Sequence, residues 1–343
     1  MARRTQLSFA TFNLYNLHTP GNRIYRDADG WSQAEYDKKI TWSANIIKNT
    51  DAKVWGFQEL WHKDALTALF EEADLMADYD LLLPDNHGNT KIICAAAVKK
   101  GLLQGTPNWI VNFPDKMRLE SSGDDDQTPD ISIAINKFSR PTLNFKIKPR
   151  SDGKEISVYV AHLKSKSPTQ LWREGWYRDD VDFYKKHATA LGATISTIRR
   201  SAEAAALRML IIEEIKGNDN PLVVMGDIND AQLSNTMNIL TGQPNYLLSG
   251  LSKGGSDTGL YTVATLQEYR SLRDVYYTHV YQNTKESLDH ILVSQEFYDS
   301  SRKRIWAYKG MEIVNDHLDN DAHKLSGTTD HGIVKATFEY RPI

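Results

Sequence analysis

Leu222-Val223-Val224-Met225-Gly226-Asp227-Ile228-Asn229-Asp230 is an apolar run that breaks, at a glycine, into a group of oxygen-bearing side chains. Consecutive apolar residues, two of them β-branched, read as a short strand buried on both faces. The polar group follows where buried backbone meets the surface, and side chains from different strands can converge there on a rim cleft. Five other stretches share this context. Thr11-Phe12-Asn13, Phe57-Gln58-Glu59, Ala161-His162-Leu163-Lys164-Ser165, Leu288-Asp289-His290-Ile291 and Thr329-Asp330-His331-Gly332 each follow, open or interrupt an apolar strand.

Working outward, apolar–polar alternation predicts a strand over residues 7–13. Further strands are expected at 54–57, 79–83, 92–98, 131–138, 142–147, 156–161, 222–225, 274–279, 289–294, 303–308 and 332–340. Arg140-Pro141 and Ser151-Asp152-Gly153 read as turns between them. A helix over 35–49 places Tyr36, Ile40, Ala44 and Ile47 on one face, and a second helix is expected at 64–76. Residues 121–130 form an acidic surface loop, and 165–186 a polar, aromatic-rich insertion or lid. A long helix, 187–216, ends at Gly217-Asn218-Asp219-Asn220-Pro221. With no repeat and no linker-like stretch, 1–343 reads as a single mixed α/β domain, largely antiparallel, with helices covering the sheet faces.

The 343 residues suffice for a large core, and the formal net charge of −3 is not that of a protein coating nucleic acid by bulk charge. A polyanion would have to be held by a local patch or a bound cation. The lone Cys94 excludes an intrachain disulfide and a multi-cysteine zinc site, and in the apolar run 92–98 it reads as a buried structural thiol. No signal-type segment opens the chain and no apolar run is long enough to span a bilayer, so the expectation is a cytoplasmic protein.

The strand-end inventory is Asn13, Glu59, His162, Asp227, Asn229, Asp289, Asp330 and His331. Hard oxygen donors dominate, which suits Mg²⁺, with Mn²⁺ as substitute, rather than zinc. Two histidines remain to handle protons or to stabilise phosphoryl charge. Taken singly, Glu59 could be a solvated acid, Asp227 and Asn229 an Asx-capped turn, and His162 a satisfied structural histidine. The ordered set carries the signal. A phosphodiester anion repels hydroxide, so hydrolysis calls for a cation, a carboxylate that positions water, and an imidazolium beside the non-bridging oxygens.

The order of these motifs resembles the endonuclease/exonuclease/phosphatase superfamily, which includes secreted DNases, abasic-site endonucleases, inositol-polyphosphate phosphatases and bacterial sphingomyelinases. The similarity spans Phe9 to Phe338. It implies a four-layer α/β/β/α sandwich, two mostly antiparallel sheets packed face to face, with the site at one edge. It also implies roles. Glu59 resembles the principal Mg²⁺ ligand with Asn13 beside it, and Asp330 a carboxylate binding the metal directly or through water. Asp227 resembles the residue that orients or deprotonates the attacking water, with Asn229 helping to hold that water or the phosphate. His331 resembles the histidine on the scissile phosphate and Asp289 its orienting carboxylate. His162 matches a second histidine of the DNase-like and sphingomyelinase-like branches, where abasic-site enzymes commonly carry a tyrosine.

The stretch His162-Leu163-Lys164-Ser165-Lys166 resembles the HLKSK signature of bacterial members of the group. Lys164 is thereby a candidate phosphate contact, and a surface lysine explains it equally well. Arg200 and Arg208 share a helix face and are candidates for the substrate side, a solvated face being the plainer explanation. Trp172-Arg173-Glu174-Gly175-Trp176-Tyr177-Arg178 could stack bases or form a packed lid. The expectation is therefore a metal-dependent phosphodiesterase or nuclease acting on a phosphoester, with nucleic acid among the candidate substrates. The alternatives are a phosphatase or phospholipase-type hydrolase and, last, a non-catalytic binder on the same fold.

Overall fold

The computed structural model describes residues 5–25, 28–85, 90–123, 128–246, 255–271, 276–282 and 284–343. Its strands are β1 (Gln6–Leu17), β2 (Val54–Leu60), β3 (Tyr79–Leu82), β4 (Ile93–Lys99), β5 (Leu103–Asn112), β6 (Glu120–Ser121), β7 (Ile131–Ser132), β8 (Lys137–Ile147), β9 (Ile156–His162), β10 (Leu222–Asp227), β11 (Tyr261–Thr262), β12 (His279–Tyr281), β13 (Thr284–Glu286), β14 (Asp289–Val293), β15 (Trp306–Val314) and β16 (Ile333–Tyr340). The helices are α1 (Gln33–Thr50), α2 (Lys63–Glu72), α3 (Val181–Ile215), α4 (Asn235–Thr241), α5 (Val263–Glu268) and α6 (His323–Ser326).

The two strands in the middle of each six-stranded sheet set the architecture. The first sheet runs β15-β16-β1-β2-β4-β3 and the second β11-β14-β10-β9-β8-β5. Within each, one central pair is parallel, β1 with β2 and β9 with β10, and antiparallel neighbours flank it. A parallel pair needs a crossover, and α1 and α3 supply the two.

Burial follows from strand alternation. On β1, Leu7 and Phe9 point between the sheets, where they join Val54, Val98, Phe145, Val160 and Met225. Ala10, Phe12 and Leu14 point the other way, onto Tyr36, Ile40 and Ile47 of α1 and the apolar side of α2. The outer face of the second sheet packs Tyr159, Ala161 and Val224 on Ala202, Leu207 and Ile211 of α3 and Met237 of α4. Helix, sheet, sheet, helix is the four-layer sandwich that the sequence implied. Cys94 lies fully buried in the inter-sheet core, and burial pushes its thiol up to about 12, as a structural cysteine requires.

Several sequence expectations shift. The long helix begins at Val181, with the Asp180 carboxylate accepting from Phe183 N–H, so the insertion preceding it is shorter than expected. Arg140-Pro141 is not a turn: β8 runs through it. Pro141 costs no ladder bond there because it falls in an irregular stretch of the β5–β8 register, between the Thr142 and Lys137 pairings. The strand expected over 131–138 divides into β7 and the start of β8, and β5 was not foreseen. The strand expected at 303–308 starts at Trp306 and runs on to Val314. Part of the 121–130 loop and part of the 274–279 strand lie outside the described residues.

Gly226 is required where it stands. Its φ is 145°, and a Cβ there would meet the Ala161 carbonyl oxygen at 1.9 Å. Gly226→Ala is expected to destabilise the fold by about 3 kcal/mol or more, as read by urea unfolding. Wild-type stability in that variant would show that β9 and β10 do not approach as closely as described.

Candidate active site

The parallel strands carry their carboxyl ends to one rim, and their antiparallel neighbours begin there. Register alone therefore gathers the polar clusters. Asp227, ending β10, pairs with His162 on one side and with Asp289 on the other. Asn13 pairs with Gln58, and the ladder then slips, so that Glu59 lies in a bulge. Asp330 and His331 directly precede β16, which is antiparallel to β1. Bulges re-aim side chains beside functional sites. Glu59 (φ 60°) and Asn229 (φ 56°) are both in the left-handed region. Asparagine tolerates it; for a glutamate it costs about 1 kcal/mol that surrounding contacts must offset.

Asp227 is the hub. Its Oδ1 accepts from Asn229 N–H at 2.9 Å and its Oδ2 from Asn13 Nδ2 at 3.1 Å. Oδ2 also lies 3.4 Å from His162 Nε2 and 3.9 Å from His331 Nε2. Burial pushes the Asp227 carboxyl up to about 7; the His331 charge opposes this, and Asp289 and Glu59 add to it. Asn229 is fixed in turn by its Nδ2, which donates to the Leu163 carbonyl at 3.0 Å.

The two histidines are driven apart. Burial works to lower the His331 pKa, but the Asp289 carboxylate, 2.7 Å from Nδ1, and then Asp227 outweigh it and hold it well above the usual value. His331 is thus an imidazolium with Nε2 turned to Asp227. His162 goes the other way: burial, then the Arg140 charge, hold it well below its usual value, as a neutral ring. Its Nε2 lies 3.9 Å from Glu59 Oε1.

Glu59 and Asp330 both line a cleft of about 420 Å³, with His162, Asp227, Asn229 and His331. Asn16 N–H donates to Glu59 Oε2 at 2.9 Å, leaving Oε1 toward the cleft. Burial and the neighbouring Asp330 charge push the Glu59 carboxyl up. Two carboxylates that repel one another at a cleft mouth fit a hard divalent cation, which would relieve that repulsion. His279, Asp330 and His331 also bring ligand atoms within 4.8 Å of one another, as do Asp227, Asp289 and His331. In the latter set the Asp289 oxygen and the His331 ring are already bound to each other. Asn13 lies beneath the cleft, its Oδ1 accepting from Tyr15 N–H at 3.0 Å, so it braces Asp227 rather than lining the cavity.

The basic residues proposed from sequence are placed differently. Lys164 Nζ folds onto Ser165 Oγ at 3.1 Å and the Ser167 carbonyl at 3.3 Å, and does not line the cleft. Arg200 is buried, its Nε on Asp230 Oδ2 at 3.1 Å and its Nη1 on the Lys164 carbonyl at 3.3 Å. It shapes the loop beneath the cleft. Arg208 packs beside Gly242 at the helix–helix contact, away from the cleft. Arg140 is the cation that does reach the lining, with Nη1 on the Leu163 carbonyl at 3.1 Å. Its Arg-Pro context hid it by reading as a turn. Lys166 lines the cleft too, paired with Glu286 and 3.4 Å from Asp230 Oδ1. In the insertion, Ser165 to Pro168 border the cavity, whereas Trp172 and Trp176 stay exposed.

In sequence, the chain matches the Endonuclease/Exonuclease/phosphatase family over residues 10–331. Among solved structures it shares its fold with an endonuclease/exonuclease/phosphatase from Bacteroides vulgatus (15% identity, 98% of this chain and 100% of that one, TM-score 0.54). It is equally similar to the human Nocturnin catalytic domain with bound sulfate anion (15%, 99% and 98%, TM-score 0.55). A mannosyl-6-phosphatase from Bacteroides thetaiotaomicron VPI-5482 is a third such neighbour (15%, 97% and 99%, TM-score 0.55). No curated protein matches the chain in sequence. The family match opens in β1 and closes on Asp330-His331 at the cleft mouth, and the chain belongs to the Endonuclease/Exonuclease/phosphatase family.

Proposed function

We propose that this chain is a divalent-metal-dependent phosphoester hydrolase, and foremost a phosphodiesterase of nuclease type, working by in-line attack of water. The observation that carries the reading is the run Asp289–His331–Asp227, with contacts of 2.7 and 3.9 Å, in a cleft that the carboxylates Glu59 and Asp330 also line.

Glu59 and Asp330 would hold Mg²⁺ or Mn²⁺, which supplies charge neutralisation at the phosphoryl oxygens. The remaining work belongs to the chain. Asp227, with its pKa brought to about 7, accepts a proton from water near neutral pH. Asn13 and Asn229 keep both its oxygens aimed. The His331 imidazolium presents Nε2 to charge growing on the non-bridging oxygens, and Asp289 keeps that proton in place. His162, neutral, offers a hydrogen bond to the phosphate but no surplus proton. Arg140 adds a fixed positive charge on the cleft wall.

A second reading has its own support. A cavity of about 420 Å³ is of small-molecule size, and one fold neighbour is a mannosyl-6-phosphatase, so a small phosphomonoester is the alternative substrate.

Incubation with plasmid DNA, bis-p-nitrophenyl phosphate and p-nitrophenyl phosphate, each with Mg²⁺, Mn²⁺ or EDTA, separates these readings. DNA nicking and diester turnover that EDTA abolishes are expected; monoester turnover alone would move the chain to the phosphatases, and silence on all three would sink the enzyme reading. Asp227→Ala and His331→Ala are each expected to lower kcat by about 10²–10³-fold without unfolding the protein. Glu59→Gln is expected to raise the Mg²⁺ concentration needed for half-maximal rate, and an unchanged requirement would reassign that ligand.

The pH profile tests the histidine. Activity needs protonated His331 and is lost as pH rises through its raised pKa. Asp289→Asn removes the group that raises it, so the alkaline limb of kcat/KM is expected to move to lower pH. A limb that stays put would separate Asp289 from His331.

A further inference from the structure

Lys39, on α1, is fully buried, which lysine almost never is without a partner. Its Nζ donates to the Thr328 carbonyl at 2.9 Å and sits 5.7 Å from the Phe12 ring centre and 5.4 Å from that of Trp42. The charges that favour its protonated form against burial are those of Asp330 and Glu59. Thr328 lies just ahead of Asp330, and the segment it opens is bound on every side. Thr329 Oγ1 donates to the Asn13 carbonyl at 2.9 Å, and His317 Nε2 lies 2.8 Å from the His331 carbonyl. At Gly327 (φ 77°) the segment touches α1 itself, since a Cβ there would come within 2.6 Å of the Lys38 carbonyl carbon. The neighbouring Lys38 makes a similar bond, Nζ to the Leu325 carbonyl at 3.1 Å, but at the surface, where water can replace it.

We propose that Lys39 is a positioning residue for the cation site: its amine anchors the Thr328 carbonyl and so holds Asp330 in the cleft that Glu59 also lines. The inference rests on the reading in which Glu59 and Asp330 hold that ion. A methionine at 39 would preserve the stem packed on Phe12 and Trp42 while leaving a buried carbonyl unpaired and the ligand segment loose on that side. Partners that orient a metal ligand from behind typically govern about 10–100-fold of affinity.

Mg²⁺ alone, titrated calorimetrically into the wild type and into Lys38→Met and Lys39→Met, provides the test. Lys39→Met is expected to bind Mg²⁺ about 10-fold more weakly or worse, with kcat largely restored at saturating Mg²⁺. Lys38→Met is expected to bind as the wild type does. Unchanged affinity in Lys39→Met overturns the anchor, and tighter binding overturns it as well, because the amine would then act as a competing charge. A wild type that binds neither Mg²⁺ nor Mn²⁺ removes the cation reading itself, and the anchor with it. Should Lys39→Met not fold, Lys39→Gln, with an N–H donor on a shorter stem, is expected to bind Mg²⁺ several-fold more weakly than the wild type, and unchanged affinity there overturns the anchor. On the wild type, Mg²⁺ is expected to slow amide exchange in α1 around Lys39 as well as at 328–331, and protection confined to 328–331 overturns the coupling.

Discussion

The hydrogen bond from Asn13 Nδ2 to Asp227 Oδ2 ties the two sheets together at their shared rim, beside that between His331 and Asp289. Each partner is buried, so parting them would strand a polar group away from water at a cost of about 1–3 kcal/mol. Apolar packing between the sheets, in contrast, tolerates some sliding. The polar contact fixes the offset, and every longer reach across the rim depends on that offset. His162 faces Glu59, and His331 faces Asp227, only while the sheets stay in this alignment.

Within that frame the chemistry comes from unequal surroundings acting on like groups. Both histidines are buried, yet one keeps its proton and the other does not. Burial lowers both; on His331 the Asp289 carboxylate bonded to Nδ1 outweighs it, whereas on His162 burial prevails and the Arg140 charge adds to it. Among the acids, Asp289 is committed to its imidazole while burial pushes the Asp227 carboxyl up to about 7. Titratable groups pushed apart in this way mark acid and base roles. The fold achieves it with strand pairing, since Asp227 stands between His162 and Asp289 in one ladder.

The strand-end clusters were legible because each couples an apolar run to polar residues within a few positions. Asn13, Glu59, His162, Asp227, Asn229, Asp289, Asp330 and His331 are brought to one rim; the strand and helix patterns gave a mixed α/β domain, and the layered sandwich came from the family resemblance. What escaped was whatever depends on distant neighbours. Arg140 reaches the cleft because a proline is accommodated in an irregular ladder, which no local pattern announces. Asn16 serves Glu59 through its backbone N–H, invisible to any reading of side chains. Lys164, Arg200 and Arg208 looked like substrate contacts because sequence gives charge without giving partners; Asp230 takes Arg200, and a loop takes Lys164. Lys39 shares the inward face of α1 with Tyr36 and Ile40, and only the carbonyl waiting in the 328–331 segment makes that burial sensible.

The placement of β16 carries a last consequence. It lies between β15 and β1, and it pairs along β1 from Gln6 with Glu339 to Thr11 with Val334. β1 thus completes its ladder only with a strand far along the chain. Such distant pairing makes folding slow and leaves the apolar edge of β1 without its proper neighbour until β16 docks. Asp330 and His331 lead directly into that strand. A chain lacking β16 and the Asp330-His331 pair ahead of it would therefore leave the β1 ladder open and the cleft without two of its lining residues.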